Sequence, residues 1–156
     1  MTAETLTSSD LGAIGGHGLG GNLKVAHGTY SLTSAVEDGD IFEMVRLPAG
    51  ATVVGGYLMG TDMDTNDTEE LDMDIGWAAN GDEVADVNGF GALGTITGDA
   101  SVHLPAGGMF FPLQGVLFTA GPKTFNKETV IQVEVNTASA TWANGVMTLV
   151  VFYVMP

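Results

Sequence analysis

The sequence predicts an all-β protein: a two-layer antiparallel β-sandwich of jelly-roll topology, preceded by a flexible glycine-rich arm. Three observations lead there. Apolar residues recur at every second position in several segments, which is the period of a strand. Clusters of Gly, Pro, Asn and Asp divide the chain into about eight such segments. No segment sustains a helical period beyond a single turn, which argues against a parallel α/β sheet. An immunoglobulin-like sandwich is the other topology that the pattern allows, since strand order is not written in one sequence.

Residues 1–24 read as the arm and residues 25–156 as the sandwich domain. The stretch GAIGGHGLGGN at 12–22 holds six glycines and few large apolar groups, too few to fix a core. Such an arm can order on a neighbouring subunit, burying Leu11, Ile14 and Leu19 and losing its conformational freedom only on assembly.

Strand periodicity begins weakly at Thr29 to Ala35, and Asp38-Gly39 supplies a turn. Asp40 to Leu47 follows, with Ile41, Val45 and Leu47 on one face and Phe42 and Met44 on the other. Pro48-Ala49-Gly50 stops it, because proline fixes φ and removes a strand donor. Thr52 to Gly60 is another apolar run, whose Gly55-Gly56 pair predicts a bulge or a close backbone approach. Residues 69–78 alternate most cleanly, Leu71, Met73, Ile75 and Trp77 against Glu70, Asp72 and Asp74, so one face is buried and the other anionic. Over 81–94 the alternation loosens, and one helical turn is expected around Glu83 to Val87. Later strands are expected at His103 to Leu104, Gly115 to Thr119, Thr129 to Asn136 and Val146 to Met155. The last is apolar at nearly every residue, which predicts a place in the middle of a sheet.

Composition removes whole classes of function. Nineteen acidic residues against Lys24, Arg46, Lys123 and Lys127 give a formal net charge of −15. Nucleic acid and anionic membrane surfaces both require clustered cations, so neither is an expected partner. Solubility at high copy number accounts for such a charge, and so does a docking field for a basic partner or cations. There are no cysteines, which excludes disulfides, thiolate metal sites and Cys catalysis. The first ten residues lack the basic-then-apolar pattern of a signal peptide, and no apolar run has the ~18 residues of a membrane span. A soluble protein is therefore expected.

The search for reactive groups returns little. No Gly-x-Ser-x-Gly turn is present, and His17, His27 and His103 lack the spacing of zinc-protease ligands. The glycine-rich stretch follows no strand and opens no helix, so it is not a phosphate loop. No catalytic residue, cofactor or enzymatic activity is expected. The acidic run from Asp62 to Glu70 opens as Asp62-x-Asp64-x-Asn66, the first half of an EF-hand-like calcium loop. Asp67 then stands where that loop needs glycine and Met73 where it needs a bidentate glutamate, so a solvated loop between strands is the favoured reading. The segment GGMFFPLQG offers Met109, Phe110 and Phe111 as core at a sandwich corner, with anchors for a partner as the other reading.

One resemblance adds to this. The glycine-rich arm, then GDIFEMVRLPAGA at 39–51, Gly-Tyr-Leu at 56–58, and an acidic loop running into LDMDIG at 71–76 are together similar to tailed-bacteriophage head decoration, or cement, proteins of the small β-sandwich kind. That resemblance implies a virion structural protein, made in the host cytoplasm, that sits on the capsid exterior. It implies two partners: the major capsid protein, whose neighbouring subunits it clamps, and itself, as a homotrimer or homodimer. The alternatives are a carbohydrate-binding or adhesin-like module on the same fold, or another virion component such as a tail protein.

Overall fold

The computed structural model describes residues 22–66, 70–95, 103–104 and 108–156. The arm therefore lies outside the described residues up to position 21, and with it Leu11, Ile14 and Leu19. The chain enters its first strand at Lys24. The elements are β1 (Lys24–Leu32), β2 (Ile41–Leu47), β3 (Thr52–Gly60), β4 (Asp72–Trp77), β5 (Asp86–Thr95), β6 (His103–Leu104), β7 (Gly108–Pro112), α1 (Val116–Thr119), β8 (Lys123–Thr124), β9 (Thr129–Thr137) and β10 (Gly145–Val154).

These strands form two antiparallel sheets packed as a sandwich. Sheet I runs β1-β10-β3-β7-β6, with β8 also on β3, and sheet II runs β2-β9-β4-β5. Pairing is nested, early strands with late ones: β1 with β10, β2 with β9, β3 with β7, and β4 with β5. The apolar terminal strand β10 lies between β1 and β3, inside sheet I as its composition demands.

Alternation along each strand builds the single core between the sheets. Leu58, Met109, Phe111, Met147, Leu149 and Val151 come from sheet I, and Leu47, Met73, Ile75, Trp77, Phe90, Ile131, Val133 and Val135 from sheet II. Trp77, Phe90 and Phe125 meet edge to face at one end of this core, with centroids 5.2 to 6.2 Å apart. Where β1 crosses the edge of sheet II, Gly28 stands against the Met44 carbonyl, so close that a Cβ there would overlap it. Met44 is the residue left unpaired where the β2–β9 register shifts between Glu43 and Val45.

Three expectations change. Gly115 to Thr119 is no strand: after Pro112 the chain turns at Gly115 (φ 54°) and Val116 to Thr119 close a helical turn, Ala120 N–H donating to Val116 O. The turn expected at Glu83 to Val87 is not helical. Asn80 accepts the N–H groups of Asp82 and Glu83 on its side-chain oxygen, and Trp77 Nε1 donates to the Val84 carbonyl, which leaves the backbone in a loop. β5 escaped the periodicity because glycines interrupt it. Gly89 is required there, since a Cβ would run into the Trp77 ring.

Candidate functional site

Two regions hold the residues that the sequence singled out. The first is the acidic loop between β3 and β4. Asp64 is 2% exposed, and its carboxylate gathers backbone donors from three chain segments. Oδ1 accepts the N–H of Thr141 at 2.9 Å and of Asn66 at 3.4 Å. Oδ2 accepts Glu70 N–H at 2.8 Å, Leu71 N–H at 3.1 Å and Ala140 N–H at 2.9 Å. Asp62 Oδ1 in turn accepts the Asp64 N–H at 3.0 Å. Burial pushes the Asp64 carboxyl up, but the bonds from Glu70, Thr141, Ala140 and Leu71 outweigh it and hold the group below its ordinary value.

Calcium needs carboxylate lone pairs turned toward a common centre. The Asp64 lone pairs are turned toward N–H groups instead, so the side chain fastens the 62–66 loop and the start of β4 to the 140–143 segment before β10. Main-chain bonds complete the junction: Thr65 N–H donates to Thr141 O and Ala143 N–H to Met63 O. Among the described residues no group of three or more His, Asp or Glu side chains is arranged to hold a metal. Asp67 and Glu69 lie outside those residues.

The second region is the outer face of sheet I. The expected anchor segment is strand β7, and its alternation separates the three candidates. Met109 and Phe111 turn inward and are buried in the core, which removes them from the surface of the described chain. Phe110 turns outward and is 39% exposed. It stacks at 5.0 Å on Tyr57, which meets Phe152 at 6.0 Å. Cross-strand register extends this aromatic row: Val25 opposite Phe152, Val150 opposite Tyr57, and Met59 opposite Phe110. Val54 and Val146 are also exposed, and Thr29 and Thr148 share a hydroxyl hydrogen bond at 2.9 Å.

What the sequence pattern did not reveal is how charge divides between the sheets. None of the residues in β1, β3, β6, β7, β8 or β10 is Asp or Glu, so the described strands of sheet I carry no carboxylate. Sheet II carries Glu43, Asp72, Asp74, Asp86 and Glu134 within its strands. Asp74 and Glu134 stand directly opposite one another in the β4–β9 register, an arrangement that like charges disfavour. Asp72 Oδ1 and Glu134 Oε2 are shielded from solvent and accept no hydrogen bond. The strands of sheet I are thus free of acids, and those of sheet II carry them.

No protein-family model matches the chain, and no curated protein matches it in sequence. Among solved structures it is similar to a chain of the cyanophage Pam1 capsid asymmetric unit, with TM-score 0.66 and 24% identity over 99% of this chain and 100% of that one. This chain shares its fold with a capsid-structure chain. A chain in the capsid of Ralstonia phage GP4 gives TM-score 0.67 and 22% identity over 87% and 86% of the two chains. One in the acidic stable capsid structure of Helicobacter pylori bacteriophage KHP30 gives 0.55 and 20% over 86% and 88%. At these identities the likeness concerns the fold. With the Pam1 chain it runs end to end.

Proposed function

We propose that this chain is a virion structural protein that binds the outer surface of a phage capsid and stabilises it by bridging neighbouring capsid subunits. The observation that carries the reading is the end-to-end correspondence with a chain of a capsid asymmetric unit. The nested strand order supports it further: folding one long antiparallel hairpin over on itself yields two Greek keys, and we read the sandwich as a jelly roll.

The role needs contact area rather than catalytic groups. A domain of this size can offer the ~800 Å² per partner of a standard interface, and many copies on one shell add avidity. In this reading the major capsid protein is the partner, and residues 1–24 act as an arm whose Leu11, Ile14 and Leu19 reach a neighbouring subunit. Phe110 is the member of its segment that remains available as a surface anchor.

The test is cosedimentation of the purified chain with assembled capsids of the virus that encodes it, followed by thermal disruption of the decorated and bare shells. Saturable binding and a higher disruption temperature are expected. Failure to bind at saturating concentration would refute the proposal, and a glycan array would then examine the carbohydrate-binding alternative.

A further inference from the structure

We infer that the outer face of sheet I is where one copy of this chain packs against another. The starting point is electrostatic. A partner of different sequence can meet a carboxylate with lysine or arginine and gain from the contact. An identical copy cannot, because it brings 19 acids and only four Lys and Arg residues of its own. Self-association of such a chain requires a surface cleared of acids, whereas docking on another protein does not.

Sheet I is that surface. Its strands contain no Asp or Glu, and the cations within them lie at the margins: Lys24 opens β1, and Lys123 in β8 is paired with Glu83 at 2.7 Å. The face carries Val25, Val54, Tyr57, Phe110, Val146 and Phe152, an aromatic row flanked by β-branched residues, with His27, Thr29 and Ser31 at the other outward positions of β1. Extent agrees as well. The strands β1, β10 and β3 are nine or ten residues long and β7 five, so at ~4.8 Å spacing and ~3.3 Å per residue they present roughly 520 Å². Two copies would then bury about 1,000 Å², the size at which a biological interface begins. The acids of sheet II, with Asp74 buried and Asp72 and Glu134 partly so, lie away from this contact. This inference goes beyond the function proposed above and is independent of capsid binding.

Sedimentation velocity on the full chain, over a concentration series and at both low and ~1 M salt, tests it. A discrete oligomer is expected, and it should persist or tighten in high salt, because screening relieves repulsion between acidic copies while an apolar contact is unaffected. Phe110→Asp and Val146→Glu should each weaken association about 100-fold, as a charge forced into the centre of an apolar interface does. Circular dichroism reports whether each variant is folded. If Phe110→Asp does not fold, Val146→Glu and Val54→Glu decide, since neither side chain belongs to the aromatic row. A wild-type chain that stays monomeric at ~100 μM overturns the inference, and so does an oligomer that survives in the folded variants. No capsid enters the experiment, so its failure and a failure of capsid binding are separate results.

Discussion

Replacing Asp64 with asparagine should cost this protein about a third of its stability. The amide keeps one acceptor oxygen but turns its NH2 toward backbone N–H groups that now have no acceptor. In one orientation the donors of Glu70, Leu71 and Ala140 lose their partner, and in the other those of Thr141 and Asn66 do. Each hydrogen bond to a charged group contributes ~1.5–3 kcal/mol, and loops relax around a defect, so a net loss of ~3–4 kcal/mol is expected. Domains of this kind unfold with ~5–15 kcal/mol, and for this length the loss lowers Tm by about 10 °C. The assay is urea and thermal unfolding followed by circular dichroism, repeated from pH 7 down to pH 3. Because the folded-state pKa is depressed, the contribution of Asp64 is complete above the unfolded carboxylate range near ~4 and fades as pH falls through the lower folded value. The gap between wild type and Asp64→Asn should therefore narrow at the acid end of the series. A variant within ~1 kcal/mol of wild type at pH 7, or a gap that stays constant down to pH 3, would refute the anchoring role of the carboxylate.

Other substitutions probe the frame around it. Phe125→Ala empties the centre of the Trp77–Phe90–Phe125 cluster and should destabilise by ~3–5 kcal/mol, visible as a lower urea midpoint with unchanged slope. Gly28→Ala drives a methyl group into the Met44 carbonyl and should open the β1–β2 edge, raising amide hydrogen exchange there before the rest of the sandwich. Lys123→Met removes the ion pair with Glu83 and the cation lying 5.1 Å from the Trp77 ring centroid, for a loss of ~1 kcal/mol that shrinks in high salt.

Much of this architecture is legible in the residues themselves. Leu71, Met73, Ile75 and Trp77 announce β4 because one of its faces is dry and the other carries acids. β10 declares an interior position because nearly every residue is apolar. Gly55-Gly56 is correctly read as a place of close approach: a Cβ on Gly56 would overlap the Val150 carbonyl, and the β3–β10 register shifts beside it. The pattern fails where tertiary contact decides. β5 contains Gly89 and Gly91 for packing against Trp77 and the Gly115 turn, and those glycines erase the alternation that marks a strand. Asp64 looks like its acidic neighbours in sequence, since the five donors that converge on it come partly from residues 140 and 141. The division of charge between sheets is invisible until strand order assigns each segment to a layer. Met109, Phe110 and Phe111 read as a uniform apolar run until the strand sends alternate side chains to opposite sides.

The nesting of strands also sets the order in which this protein can be completed as it is made. β10 is synthesised after the other described strands, and among the described residues it is the one strand paired with β1 and one of the partners of β3, so Thr29 waits for Thr148 across 119 residues. Until then the nascent chain holds two nine-residue strands with unpaired edges, the species that sticks to other unfinished chains. Contacts this distant make folding slow, on the millisecond-to-second scale typical of sandwiches. A product ending before residue 145 lacks the strand that joins β1 to β3 and cannot complete sheet I.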